Sequence, residues 1–355
     1  MTWDTDKLEN ILLNLNKQMK STTSKKELAT LMFDYFSVVE ILKNLEYETY
    51  PSVINKHDSK NIKFSDMKEY YEEFYQDSYE CLKENQEDLL SMGSYIDTTS
   101  IPAPRMSFVK RILEEDYLDM VGDFFSKYDK GHYKIFKNLT KGNIHFAKNE
   151  KEVGDQAKGK CYHFLSTDDT YIITNYNNKN NITVLPHEIA HAFELAQLKN
   201  IIHRSSWHFS SFTESYPKFI ELLFLDFLGK EHMNYFLKLK YQFFDSLKLS
   251  SEYALSFISN LDSDESIGFS KDKRKLRLTK KYMDYVVSDL FSIYLYNLYK
   301  NDKDKFDMVI KKFHNYKGKS DELIWSLINP DILMDSYKKE LDVYRDELFL
   351  SRTRN

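Results

Sequence analysis

His187 and His191 stand four residues apart, with Glu188 directly after the first, in the run His187-Glu188-Ile189-Ala190-His191. On an α-helix that spacing aims two imidazoles from one face, where they can grip one metal ion. The glutamate lies one step round the helix, placed to hold a water molecule rather than the metal itself. Metal-assisted hydrolysis is the chemistry that these residue types support at this spacing. Two helix histidines that merely pack or face solvent are the competing account, and the surrounding sequence must separate the two.

A catalytic zinc site needs a third protein ligand. One motif extension places glycine at position 194 and histidine at position 197; this chain has Glu194 and Gln197 there, which excludes it. Downstream lies Glu214, in Phe212-Thr213-Glu214-Ser215-Tyr216-Pro217-Lys218-Phe219-Ile220-Glu221. A histidine pair completed by a glutamate on a later helix is the gluzincin arrangement. From Phe219 to Leu228 the sequence is apolar nearly all round, which predicts a buried helix interrupted by Glu221 and Asp226. Buried carboxylates need partners. Glu221, two turns beyond Glu214 on the same face, is placed to accept the outer ring N–H of a metal-bound histidine. An ion pair with Lys or Arg is the alternative for Glu221 and for Asp226. His203 and His208 fall before Glu214 as candidate substrate contacts or as surface residues.

These residues need a frame. Thr183 can cap the motif helix and Pro186 falls in its first turn, while Leu185, Ile189, Ala192 and Ala196 form a core-facing stripe. Short aromatic and β-branched segments at 143–147, 160–165 and 171–176 predict a small three-stranded sheet. The rest reads as helical, in keeping with only 9 Gly and 6 Pro. Phe64 to Met92 reads as one long helix or a broken pair. The stretch from Thr98 to Pro104 is the expected boundary, dividing an N-terminal helical region (1–100) from a helical catalytic domain (101–355) with the sheet at about 143–176. The basic run Lys271 to Lys281 reads as a solvated surface.

Composition removes other classes. A net charge of −5 over 355 residues gives no electrostatic footprint for nucleic acid. Cys81 and Cys161 have no metal-type spacing and suit a reducing compartment. No basic-then-apolar leader opens the sequence and no apolar run reaches membrane-spanning length, so a soluble cytoplasmic protein is expected.

The motif-bearing region resembles the oligopeptidases related to thimet oligopeptidase and, more closely, bacterial oligoendopeptidase F. Gly159-Lys160-Cys161-Tyr162 and Tyr171-Ile172-Ile173-Thr174-Asn175-Tyr176 resemble that family's paired strands, and Thr183 to Phe193 its metal helix. Glu214 to Glu221 resembles the segment with the third ligand. Tyr282-Met283-Asp284-Tyr285-Val286-Val287-Ser288-Asp289-Leu290-Phe291 is similar to a late helix that supplies tyrosines to substrate. The resemblance covers roughly residues 105 to 335; residues 1 to 100 match only in being helical, and the chain is shorter than usual members. It implies a mainly α, helical zincin (gluzincin) fold with a small sheet beside the active-site helix. It also implies a zinc endopeptidase for short peptides, with His187, His191 and Glu214 on Zn2+, Glu188 as general base, and Tyr285, then Tyr282, at the developing oxyanion. A substrate peptide is expected to add to the edge of the strand at 160–165 or at 171–176. The chain departs from the family at Ala190, Glu194, Ser215, Pro217 and the pair Ser288-Asp289, where Gly-Tyr is usual. The altered tyrosine helix and the reduced N-terminal region motivate a second expectation, a peptide-binding protein that keeps the fold but turns over weakly or not at all.

Overall fold

Apolar side chains at three- and four-residue intervals shape most of the chain. In the first helix Leu8, Ile11, Leu12, Leu15 and Met19 make one buried stripe. The structure is a computed structural model that describes residues 5–23, 25–44, 80–81, 83–104, 114–147, 153, 158–164, 169–174, 182–197, 211–229, 232–258, 273–314, 325–326 and 329–353. In chain order the elements are α1 (Thr5–Ser21), α2 (Lys25–Asn44), α3 (Gln86–Thr98), α4 (Glu114–Tyr128), α5 (Lys130–Leu139), β1 (Ile144–Phe146), β2 (Gly159–Phe164) and β3 (Asp169–Thr174). There follow α6 (Val184–Gln197), α7 (Ser215–Gly229), α8 (Met233–Ile258), α9 (Lys273–Asn301), α10 (Lys303–His314) and α11 (Pro330–Thr353). The mainly helical fold with one small sheet is the one the sequence predicts. Among the described residues no helix is long and apolar enough to cross a membrane.

The chain forms two compact units. The first comprises Met1–Glu73 and Arg111–Ser205. Its sheet has the order β1-β3-β2, with β3 parallel to β1 and antiparallel to β2. Ile144 pairs with Ile172, and Tyr162 with Tyr171. The middle strand is buried over Tyr171–Thr174, with Tyr171 and Ile172 fully enclosed. This position corrects one expectation. β3 is paired on both sides over Ile172–Thr174, so its backbone groups there are taken and it has no edge to offer a peptide. Among the described residues β2 pairs with β3 alone. Helix α6 packs on β2 and β3, and α5 packs on α6.

The second unit comprises Phe74–Lys110 and Ser206–Asn355. Here α7 packs against α8 and α9, α9 against α11, and α8 against α3. As its composition predicts, α7 is buried nearly all round, through Phe219, Ile220, Leu222, Phe224, Leu225 and Leu228. Its carboxylate Asp226 accepts a hydrogen bond from the Tyr296 hydroxyl at 2.5 Å and lies 3.4 Å from Lys300. Lys240, only 1% exposed, meets Glu340 at 2.6 Å and Glu347 at 3.7 Å, so this core holds its charges in pairs. The stretch after α3 is tied down by its carbonyls: Ser100 accepts from Arg345, Pro102 from the Tyr344 hydroxyl and Ala103 from Arg352.

Candidate metal centre

The start of α6 is fixed by a single buried phenol. The Tyr117 hydroxyl donates to the Ile182 carbonyl at 2.7 Å and accepts from the Leu185 N–H at 3.3 Å. It thereby satisfies one of the amide donors that a helix start leaves without a helical partner. The first turn closes when the His187 N–H donates to the Thr183 carbonyl. Pro186, inside that turn, has no N–H to satisfy. Leu185, Ile189 and Ala192 are buried, as the stripe predicts, while Ala196 is half-buried.

Farther along, Phe193 stacks on His132 of α5, with ring centroids 3.9 Å apart. His132 is buried and its Nδ1 lies 2.8 Å from Asp129, whose carboxylate also accepts the His132 backbone N–H. The side-chain bond to His132 is the main reason the Asp129 carboxyl is brought down to about 2. Burial pushes the His132 imidazole below its ordinary value despite that carboxylate. A neutral ring donating from Nδ1 to Asp129 fits both shifts.

With α6 held in this way, the His187 and His191 rings sit edge to face, centroids 4.8 Å apart, both half-buried. Glu188 is buried and lies against the first residue of β2. A Cβ at Gly159 would come 2.8 Å from Glu188 Oε1 and 2.5 Å from Val184 Cγ1. Gly159 is therefore what leaves Glu188 its room. Glu194, buried on the same helix, has Oε2 4.0 Å from His191 Nδ1.

Glu214 ends the turn that leads into α7. The Ser215 N–H donates to the Phe212 carbonyl and the Lys218 N–H to the Glu214 carbonyl. The turn is anchored by Phe212, buried against Phe291 and Trp325, and by Ser288, whose hydroxyl donates to the Ser211 carbonyl at 2.6 Å. Lys218 forms an ion pair with the buried Asp289 at 2.8 Å. Burial works against its ammonium, but Asp289, and more weakly Glu221 and Glu214, outweigh that and raise its pKa. Tyr285 shares this neighbourhood, with the Lys218 Nζ 5.7 Å from its ring centre. Burial first, and then the Glu214 charge, push its phenol up to about 12. Tyr282 instead stacks on Tyr253, centroids 4.8 Å apart. His203 and His208 lie outside the described residues.

Among the described residues His187, His191 and Glu214 form a group able to hold a metal ion, with one donor atom from each, all within 4.8 Å of one another. Two imidazoles and one carboxylate, with room for a further ligand, are the donor set of a catalytic zinc site. Sequence reasoning missed the Lys218–Asp289 pair, the His132–Asp129 support and the role of Gly159. A signal existed for the first: each interrupts an apolar helical run, and the two are of opposite sign.

No protein-family model and no curated protein matches the sequence. Two solved structures are similar in fold. PZ peptidase A, solved with an inhibitor, aligns over 95% of this chain and 72% of its own, at a TM-score of 0.51 and 11% identity. A protein from Bacillus anthracis str. Ames, described as an oligoendopeptidase F, aligns over 90% of this chain at a TM-score of 0.49 and 13% identity. This chain covers 64% of that protein, less than two thirds of its length. At 11% identity the likeness to PZ peptidase A is one of fold alone, that of a mainly helical chain with a small sheet.

Proposed function

We propose that the protein is a zinc metallopeptidase that hydrolyses peptide bonds in short peptides. The observation that carries this reading is the convergence of His187, His191 and Glu214 donor atoms, with the buried Glu188 carried on the same helix as the two histidines. A bound zinc ion would lower the pKa of a water molecule and polarise the scissile carbonyl. Glu188 takes the proton from that water and returns it to the leaving amine. Its burial close to Gly159 restricts the carboxylate, which favours a directed proton transfer. Tyr285, whose phenol stays protonated at neutral pH, is the proposed donor to the charge developing on the carbonyl oxygen. Tyr282, stacked on Tyr253, is the second candidate. The peptide is proposed to lie along β2, adding backbone hydrogen bonds to its edge.

A second reading is favoured by the Lys218–Asp289 pair. Its Asp289 stands on α9 where the resembled family has tyrosine, which suits a protein that binds peptides with little or no turnover. One experiment separates the two. A mixed peptide library is incubated with the purified protein, with chelator-treated protein and with Glu188→Gln. Peptides consumed by the first sample alone support the proposal. Peptides retained but uncut by all three support the binding protein. Equal cleavage by all three would remove zinc and Glu188 from the mechanism.

A further inference from the structure

Lys218 follows Glu214 by one helical turn, the spacing at which a glutamate and a lysine on one helix face pair with each other. In the structure the ammonium turns to α9, where its Nζ stands 2.8 Å from Asp289 Oδ1. The Asp289 side chain is 1% exposed and the Lys218 side chain 16%. A carboxylate so deeply buried needs a cation, which is why it holds this one. The same turn of α9 carries Ser288, whose bond to the Ser211 carbonyl fixes the turn that leads to Glu214.

We propose that Asp289 is a positioning residue that draws the Lys218 ammonium away from Glu214, leaving the Glu214 carboxylate to the metal. The inference rests on the reading of Glu214 as the third zinc ligand. Without Asp289 the carboxylates acting on Lys218 are Glu221 and Glu214, and an ammonium paired with Glu214 competes with zinc for its oxygens. The lysine remains a cation throughout, so the competition does not depend on its titration. Asp289 thus does for the site what a direct partner of a ligand does elsewhere: it decides which way the ligand's charge is used.

The sign of the coupling between the two residues tests this. Zinc affinity of the full chain is measured by competition with a chromophoric chelator, and folding is monitored by circular dichroism. Asp289→Asn, which frees Lys218 to turn to Glu214, is expected to weaken zinc binding about tenfold or more. Lys218→Met combined with Asp289→Asn removes the competitor as well and is expected to restore the wild-type affinity. An unchanged affinity in Asp289→Asn overturns the proposal. So does a double variant as weak as the single one, because the pair then matters only for packing. If Asp289→Asn does not fold, Lys218→Met alone carries the test: affinity at least equal to wild type supports the proposal, and weaker binding overturns it. Wild-type protein that takes up no zinc defeats the reading of Glu214 itself, before any variant is compared.

Discussion

Glu188 and Glu214 are both glutamates near the two histidines, yet the account gives them different work, and substitution separates the roles. Glu188→Gln keeps size and hydrogen bonding but cannot accept a proton. It is expected to keep zinc and peptide affinity while losing at least about 100-fold in turnover. Near-normal turnover in that variant would assign the base elsewhere. Glu214→Ala removes a proposed ligand, whereas Glu221→Ala removes a proposed partner of a ligand and should cost only about 10–100-fold in zinc affinity. Zinc titrations of the two should differ clearly, and equal losses would sink the distinction. At this scale the motif residues and Glu214 were legible as candidates because their types and spacing are local and chemical. The company they keep was not. Which carboxylate holds Lys218 depends on how α9 docks on α7, and no spacing within one segment encodes it.

Two elements prepare α6 for its task, and each makes a prediction. At Gly159, the first residue of β2, a side chain would enter the space of Glu188 and Val184. Gly159→Ala should therefore displace the base and reduce turnover on the order of 100-fold, the cost of a misplacement of about 1 Å, with zinc retained. A fully active variant would show that Glu188 moves aside without consequence. The α5 support predicts a pH dependence. His132 has a folded pKa below its ordinary 6.5, so the unfolded chain takes up that proton first, and stability falls as pH drops through 6.5. Asp129 has a folded pKa of about 2 against an ordinary 3.8, so its contribution is present above 3.8 and disappears as pH falls to about 2. His132→Phe keeps a ring to stack on Phe193 and should flatten the upper part of the acid profile in urea unfolding. Profiles that run parallel from neutral pH to about pH 4 would contradict the assignment. The segments of the sheet and the apolar α7 were readable from their patterns. The order β1-β3-β2 was not, because the parallel pairing of β1 and β3 joins segments that are distant in sequence, and each strand reads the same whichever neighbour it takes.

For the whole molecule the helical fold was legible because apolar periodicity runs through nearly every segment and breakers are few. PZ peptidase A shares that fold at 11% identity, so the architecture says little about which chemistry survives in this chain. The donor set decides that. The most direct test is the metal content of full-length protein purified without any chelator, compared with His187→Ala and His191→Ala. The account predicts about one zinc per chain in the wild-type protein and little in either variant, since two remaining ligands do not hold a catalytic zinc. Wild-type protein that carries no transition metal and binds no added zinc would contradict it.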